Sequence, residues 1–180
     1  MLQSVLATLA VLGVAAAAQP LSLAGERKGN THFVRPPWRA DLVSFTTTAG
    51  RPNPKYFFTV ELDQGAGASL GGLEIRQTRG VDSSFPISAE RTQAFLGRPR
   101  RQGQSVPVQA SLSSHERLVQ IRFPQPVPPG STVTVVLRPW RNPATADTYM
   151  FQVSALPAGP NPVVAPLGFA TLRIYSPDWR

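Results

Sequence analysis

The sequence predicts an all-β protein: a single antiparallel β-sandwich of the immunoglobulin-like kind, with one short helix. Apolar and polar side chains alternate in short runs after residue 40, which is the period of a strand with one buried face. The runs are separated at short intervals by turn residues, since the chain contains 19 prolines and 14 glycines. Strands this short, without interleaved helices, favour a sandwich over a parallel α/β sheet.

The N-terminal residues 1–18 differ in composition from the rest of the chain. Residues 5–18 carry no charge and no proline, and a run of this length is typical of the apolar region of a signal peptide. It ends in Ala16-Ala17-Ala18, and these small residues predict cleavage after Ala18. No Lys or Arg precedes Val5, so the α-amino group alone would supply the usual positive charge, unless the true start lies upstream. The alternative is a buried N-terminal helix.

The remainder is long enough for one domain with a real core. Residues 19–31 are polar and small and indicate a loose lead-in, and residues 32–180 are assigned to the sandwich. Cysteine is absent, which excludes a disulfide framework and a lipidated cysteine. After residue 18 the sequence contains no apolar run that is long enough to span a membrane.

Nine strands are predicted from the alternation. The clear ones are residues 56–62, 73–75, 106–112, 118–123, 132–138, 148–155 and 169–175, and the weaker ones are 32–34 and 42–47. The one helix is predicted at residues 89–96, with Ser88 as its N-cap and Gly97 as its stop. The glycine-rich residues 65–72 lack the Lys-Ser/Thr of a phosphate-binding loop and predict a hairpin or a bulge.

One local pattern indicates the immunoglobulin-like variant of the sandwich. Tyr149 lies two residues before Phe151, as the tyrosine of a tyrosine corner precedes the core position of the sixth strand. Phe151 would then occupy the place that a disulfide cysteine takes in antibody domains. The alternative is an ordinary alternating strand that contains a tyrosine.

The charge of the chain indicates an anionic partner. Its formal net charge is +8, and 16 of its 18 basic residues are Arg, whose planar guanidinium makes bidentate contacts with carboxylate, phosphate and sulfate. Arg98, Arg100 and Arg101 fall within four residues of a Gly/Pro-bounded loop and form a candidate anion-binding loop for acidic glycan or lipid headgroups of the envelope. Compositional bias and an exposed loop without a ligand are the alternatives.

Two tryptophans form a second candidate surface. Trp38 with Arg39, and Trp140 with Arg141, each lie in an Arg- and Pro-rich segment. Such aromatic residues form a platform for sugar stacking, or an Arg-over-Trp stack that caps the core.

No motif indicates an enzyme, a cofactor or a metal. The chain has two histidines, His32 and His115, and no cysteine, whereas a zinc or copper site needs three or four N/S ligands. Residues 113–116 hold Ser, His and Glu but predict a solvated turn, and no Gly-x-Ser-x-Gly elbow is present. We therefore expect no catalytic, cofactor-binding or metal site, and no nucleic-acid partner.

Several segments resemble a known family. Residues 126–135, continuing through Leu137-Arg138-Pro139, and residues 149–155, followed by Leu167-Gly168 and residues 172–175, are distinctive, and residues 73–77 and 94–97 fit as well. Together they resemble the exported cyanobacterial proteins grouped as domain of unknown function 2808, over residues 30 to 176. The resemblance implies a signal-bearing protein of the periplasm or the outer envelope and extracellular space, with no assigned reaction and no catalytic residues.

The sequence thus favours a non-catalytic binding or structural module of the cell envelope. A polyanion- or carbohydrate-binding domain is the first alternative, and a hydrolase of envelope polymer is the second. The hydrolase would require two close carboxylates in a cleft, or a Ser–His pair within hydrogen-bonding reach.

The signal-peptide assignment predicts the N-terminus of the exported protein. When the full chain is expressed in a bacterium with an intact secretion system, Edman sequencing of the exported product should begin at Gln19, because the peptidase cleaves after the small residues that end at Ala18. Substituting Ala16 and Ala18 by Arg should block the processing. Export of a product that retains Met1 would contradict the assignment.

Overall fold

The computed structural model describes residues 25–27, 29–82 and 87–177. The predicted signal peptide, residues 1–18, lies outside these ranges, as does Trp179. In the described part the chain is built of strands, with one turn of 3₁₀ helix. None of its helices is long and apolar enough to cross a membrane.

The strands form two five-stranded antiparallel sheets and one short hairpin. The first sheet has the order β3 (Ala40–Val43), β4 (Tyr56–Glu61), β10 (Thr132–Leu137), β6 (Gln93–Arg98) and β7 (Arg101–Val106). The second has the order β12 (Ala165–Arg173), β11 (Thr148–Pro157), β5 (Leu70–Arg79), β9 (Leu118–Val127) and β8 (Gln109–Ser113). The hairpin pairs β1 (Gly25–Arg27) with β2 (Asn30–His32). The predicted all-β sandwich is confirmed.

The core lies between the two sheets, where the alternating apolar residues of both meet. Phe58 and Val135 of the first sheet and Ile121 and Phe151 of the second are at most 1 % exposed. Phe58 meets Phe151 edge to face, with ring centroids 5.7 Å apart, a geometry that adds to the energy of apolar burial. Because apolar side chains recur at every second residue, each sheet has one apolar face, and these two faces are packed against each other.

The tyrosine corner is present. Tyr149 is buried at the start of β11, and its hydroxyl donates a 2.9 Å hydrogen bond to the carbonyl oxygen of Thr145. Burial raises the pKa of this phenol, so that it stays protonated and can donate. Phe151, two residues on, fills the core position that the sequence assigned to it.

The prediction of a helix at residues 89–96 is wrong. A single 3₁₀ turn, Ala89–Arg91, is followed by strand β6, and the Ser88 side chain makes no capping hydrogen bond. Ala94 and Phe95 are both buried, and they pair with Val135 and Thr134 of β10. Burial on both faces of a sheet outweighs the helix propensity of an Ala/Glu/Gln-rich segment.

The strand predicted at residues 106–112 is divided between the two sheets. Val106 ends β7 in the first sheet and Gln109 begins β8 in the second. Pro107 lies between them, at the point where the chain changes sheets. The alternation continues across this crossover, because both flanking strands turn their apolar side chains toward the same core.

Other strand boundaries in the structure also differ from the predicted ones. Strands β5, β9 and β12 extend beyond the predicted residues 73–75, 118–123 and 169–175 at one or both ends, and β12 ends at Arg173. Tyr175 makes an isolated parallel bridge with Thr48 instead. Residues 25–27 and 29–31, part of the expected loose lead-in, contribute to the β1–β2 hairpin. Thr31 of this hairpin is fully buried and donates to the carbonyl of Pro160 at 2.7 Å.

The corner hydrogen bond predicts a stability effect. Replacing Tyr149 by Phe should lower the free energy of unfolding by about 1 kcal/mol, because the ring stays packed and only the bond to Thr145 is lost. Urea denaturation followed by circular dichroism measures it. Tyr175→Phe, at an exposed tyrosine, is the control and should change little; equal effects of the two substitutions would contradict a role for the corner.

Candidate functional site

The predicted arginine loop is the tip of the β6–β7 hairpin. Arg98 pairs with Arg101 across a two-residue turn, and the register shifts between Phe95 and Gly97. Gly97 has a positive φ of 100°, and a Cβ there would lie 2.3 Å from the carbonyl oxygen of Arg101, so only glycine fits. The bulge bends the hairpin.

The bent hairpin contacts the outer face of its own sheet. The Thr134 hydroxyl of β10 donates a 2.6 Å hydrogen bond to the carbonyl oxygen of Gly97, and Thr59 of β4 donates to Thr134 at 2.9 Å. Both threonines face away from the core and are nevertheless buried. The hairpin therefore covers part of the sheet that the alternation alone leaves in solvent.

Ion pairs hold the base of the hairpin tip to the far strands. Arg98 contacts Asp41 of β3 with Nη1 at 3.5 Å and Glu61 of β4 with Nη2. The hydrogen bond to Glu61, then the negative charge of Glu61, raises the pKa of the Arg98 guanidinium. Arg39 also pairs with Asp41, at 3.2 Å. Arg98 is thus neutralised within the chain, which removes one member of the predicted anion-binding loop.

Arg100 and Arg101 remain exposed. The guanidinium carbon of Arg100 lies 4.9 Å from the ring centroid of Phe45, and Phe45 packs on Phe57 at 5.6 Å. Phe57 belongs to a second, smaller apolar cluster with Phe95 and Val136, on the outer face of the sheet. Part of the tip therefore caps this outer cluster.

The first of the two Trp–Arg pairs lies near the same ion pairs. Trp38 is 70 % exposed, and the Arg39 guanidinium stacks on it with its carbon 4.0 Å from the ring centroid. Arg35, three residues before Trp38, pairs with Asp63 at 3.7 Å. Each arginine that flanks Trp38 therefore has a carboxylate partner.

The second pair, at Trp140, lies at the opposite end of the sheet. Trp38 precedes Ala40, which pairs with Val60 near the end of β4, whereas Trp140 follows Leu137, which pairs with Tyr56 at its start. The length of β4 separates the two ends by about 17 Å, at about 3.3 Å per residue. The predicted aromatic/Arg surface is therefore divided into two separate sites.

Two loops build the Trp140 end. Backbone hydrogen bonds join Asn53 N to Trp140 O at 2.9 Å and Asn142 N to Arg51 O at 2.8 Å. Pro52 and Arg141 form an antiparallel bridge between the same loops. The exposed side chains at this end are therefore attached to two loops whose backbones are hydrogen-bonded to each other.

Buried Asn142 ties these loops to the core. Its Oδ1 accepts a 2.8 Å hydrogen bond from the Tyr56 hydroxyl, and its Nδ2 donates to the carbonyls of Thr46 and Thr48 at 2.9 and 2.8 Å. Burial raises the pKa of the Tyr56 phenol, which keeps it protonated as the donor. The satisfied amide makes this end rigid.

Arg91 of the 3₁₀ turn completes the Trp140 end. Its guanidinium carbon lies 4.3 Å from the centroid of the Trp140 ring, and Nη2 donates to Asn53 Oδ1 at 3.2 Å. Its Nη1 is buried and has no hydrogen-bond acceptor in the described part of the chain. One indole face is thus covered by Arg91, while 59 % of Trp140 stays exposed.

We call the basic residues around Trp140 the cationic end: Arg51, Lys55, Arg91, Arg138 and Arg141. Lys55 and Arg138 adjoin the Tyr56–Leu137 pair, and the other three lie on the joined loops and the 3₁₀ turn. Among residues 29–82 and 87–177, the basic residues that form ion pairs with neighbouring carboxylates are Arg35, Arg39 and Arg98. The nearby carboxylate of Glu90 is exposed and unpaired there. The cationic end therefore carries uncompensated positive charge.

A groove of about 330 Å³ lies on the second sheet. Pairing between β5 and β9 shifts from Leu70↔Val127 to Gly72↔Arg122, so that three extra residues bulge out of β9. Pro124 and Pro126 lie in this bulge, where they cannot donate to the ladder. The glycine-rich segment itself bulges against β11, where the pair Leu156–Gly72 is followed by Pro157–Leu70. The bulge predicted for this segment is therefore present, and it forms one wall of the open groove.

The residues considered for catalysis lie apart. His115 is exposed in the turn between β8 and β9, and His32 lies in β2. No group of three or more His, Cys, Asp or Glu able to hold a metal occurs among the described residues. Half-buried Asp41 and exposed Glu61 are both ion-paired with Arg98, rather than held in the desolvated surroundings that a general acid requires.

The sequence profile of one protein family matches residues 30–174 of the chain. Its description is "Protein of unknown function (DUF2808)". The chain belongs to this family. The resemblance in the strands and turns is thereby confirmed. No functionally curated protein matches the chain.

Several solved structures are similar to this chain at low sequence identity. BslA, a bacterial hydrophobin, has a TM-score of 0.47 and 16 % identity over 81 % of this chain and 100 % of its own. ACE19, the collagen-binding subdomain of the Enterococcus faecalis surface protein ACE, has a TM-score of 0.41 and 9 % identity over 77 % and 98 %. AvmM, which catalyses a macrocyclization in alchivemycin A biosynthesis, has a TM-score of 0.38 and 15 % identity over 87 % and 97 %.

The sequence identified only some of the residues of the cationic end. Trp140 and Arg141 were candidates, but Arg51, Lys55 and Arg91 lie 50 to 90 residues away and become neighbours through strand and loop pairing. The one local signal for Arg51 and Lys55 is that each lies beside a proline, which is common in solvated loops, and Arg91 has no proline neighbour.

The ion pairs predict how firmly the hairpin tip is held. Arg98→Gln should accelerate trypsin cleavage after Arg100 and Arg101 by about fivefold, because its two exposed ion pairs together contribute about 1 kcal/mol and cleavage follows local opening. Trypsin does not cut before Pro99, so the substitution removes no cleavage site. Mass spectrometry of the fragments measures the rate.

The control for the hairpin experiment is Arg122→Gln, at an exposed arginine of the other sheet. It should leave cleavage at the tip unchanged. Equal rates in wild type and Arg98→Gln would mean that the ion pairs do not hold the tip.

Proposed function

We propose that this protein is an exported, non-catalytic module of the cell envelope that binds an anionic polymer through its cationic end. The observation that carries the proposal is the contrast between the two ends of the first sheet. Arg35, Arg39 and Arg98 have carboxylate partners, whereas the five basic residues around Trp140 have none in the described part of the chain. Unpaired positive charge on a rigid surface attracts an anionic partner.

The N-terminal sequence supports an extracytoplasmic location, in the periplasm or at the outer envelope and cell surface. The apolar residues 5–18, with the alanines at their end, have the features of a secretory signal. Absence of cysteine leaves no lipid attachment site of the lipoprotein kind. The partner is therefore sought among anionic components of the envelope.

The character of the site supports binding rather than catalysis. The cationic end offers donors and an aromatic ring, and its residues include no histidine, serine or cysteine that would act as a base or nucleophile. A hydrolase would also need a cleft that brings such groups to one bond. The proposal accordingly assigns the protein an adhesive or structural role.

The proposal predicts salt-sensitive binding that depends on the cationic end. The mature protein should bind heparin, and the double substitution Arg51→Gln/Arg141→Gln should reduce the slope of log affinity against log salt by about one to two, because fewer counterions are released per polymer bound. Affinity at several salt concentrations measures the slope.

The matched control is Arg35→Gln/Arg39→Gln. It removes the same two charges at the opposite end, where both arginines are ion-paired, and should change the slope less. Equal loss in both variants would mean that net charge alone drives binding. Absence of heparin binding at low salt would refute the proposed function.

A further inference from the structure

We propose that the cationic end is a binding site for acidic polysaccharide, in which the open face of Trp140 stacks on a pyranose ring while Arg51 and Arg141 hold its carboxylate or sulfate groups. This inference rests on the proposed function and deepens it: it names the residue that recognises the sugar and the class of polymer.

Trp140 is prepared for stacking. Arg91 covers one face of the indole at 4.3 Å, and the bond from Asn53 N to Trp140 O fixes the backbone. With 59 % of the residue exposed, the opposite face is open. The C–H groups of a pyranose ring pack on such a face, and a ring already immobilised by a stacked guanidinium loses little conformational entropy when it binds.

The arginines beside Trp140 are placed for anionic groups. Arg141 Nη1 donates to the carbonyl of Gly50 at 3.1 Å, which orients the side chain and leaves its remaining N–H groups for a ligand. Arg51 is exposed and its backbone is bonded to Asn142. Guanidinium groups make bidentate bonds to carboxylate and sulfate, the groups that make a polysaccharide acidic.

The surroundings of Trp140 favour a glycan over a lipid surface. A membrane-binding surface combines basic residues with several exposed apolar side chains. At the cationic end the exposed neighbours of Trp140 are Arg51, Pro52, Asn53, Lys55 and Arg141. Val34 and Trp38 lie elsewhere, toward the other end of the sheet. Two further exposed aromatic residues lie on segments that adjoin the cationic end, and an arginine stacks on each of them: Arg100 on Phe45 and Arg173 on Tyr175. Aromatic rings covered by cations suit sugar rings with anionic groups better than insertion among lipid tails.

The hairpin tip is the competing site, and its geometry is less suitable. Arg98 is neutralised by Asp41 and Glu61, and Arg100 is stacked on Phe45. Arg101 remains, and no described tryptophan stacks on it. The arginines of the hairpin tip thus hold the hairpin against its own sheet, and the residues of the cationic end, which are dispersed in the sequence, form the ligand site.

The test measures binding of the mature protein to polygalacturonate, with neutral dextran and vesicles of phosphatidylglycerol as comparison ligands. Trp140→Ala should weaken polygalacturonate binding about tenfold and Trp140→Phe about threefold or less, since Phe retains an aromatic face. Trp38→Ala is the matched control, an exposed tryptophan with a stacked arginine at the opposite end, and should leave affinity unchanged. Thermal unfolding verifies that each variant is folded.

Fluorescence gives a measurement that leaves Trp140 in place. In the variant Trp38→Phe/Trp179→Phe, Trp140 is the one remaining tryptophan, and saturating polygalacturonate should reduce its quenching by acrylamide at least twofold. Unchanged quenching on a bound complex would overturn the inference even where Trp140→Ala fails to fold.

The remaining outcomes separate the site from the function. Loss of binding in Arg100→Gln/Arg101→Gln, with none in the Trp140 variants, would overturn the site and leave the proposed function standing. Preference for the vesicles over polygalacturonate would overturn the glycan as ligand. Failure to bind any of the anionic ligands, heparin included, would refute both proposals.

Discussion

The contact between Phe58 and Phe151 is the one on which the rest of the structure depends. It joins β4 of the first sheet to β11 of the second at the centre of the core, in a chain that has no cysteine to link its sheets. Stability must therefore come from close packing and from buried hydrogen bonds, and the tyrosine corner at Tyr149 begins the strand that carries Phe151. With the sheets held in this way, the pairing of β4 with β3 and β10 places the Trp38 segment at one end of β4 and the Trp140 segment at the other.

These two ends of β4 use the same residue types for different purposes. At one end, arginines pair with Asp41, Glu61 and Asp63, and they hold a hairpin against the outer face of the sheet. At the other end, arginines and a lysine surround Trp140 without carboxylate partners in the described part of the chain. A net charge of +8 is therefore unevenly distributed, and the surplus that matters for binding lies where the loops are tied to the core by Asn142.

Most of the strands, the tyrosine corner and the family were predictable from the sequence, since each rests on local patterns. The helix at residues 89–96 was not excluded by any local pattern: its residues favour a helix, and only burial of Ala94 and Phe95 on opposite faces of a sheet makes them a strand. The strand at residues 106–112 failed for a related reason. Its alternation of apolar and polar residues continues across the point where the chain passes from one sheet to the other. The only local sign of this crossover is Pro107.

The order of residues thus accounts for the two-residue period and the turn positions, because strand periodicity and the backbone limits of proline and glycine act over a few neighbours. The candidate site depends on contacts between residues distant in the chain. Whether Arg98 is free or paired depends on the bulge at Gly97 that brings it to Asp41 and Glu61, and Arg51 and Trp140 meet through the bridge between their loops. Charge compensation acts through space, so it followed from the folded arrangement rather than from the clustering of arginines along the chain.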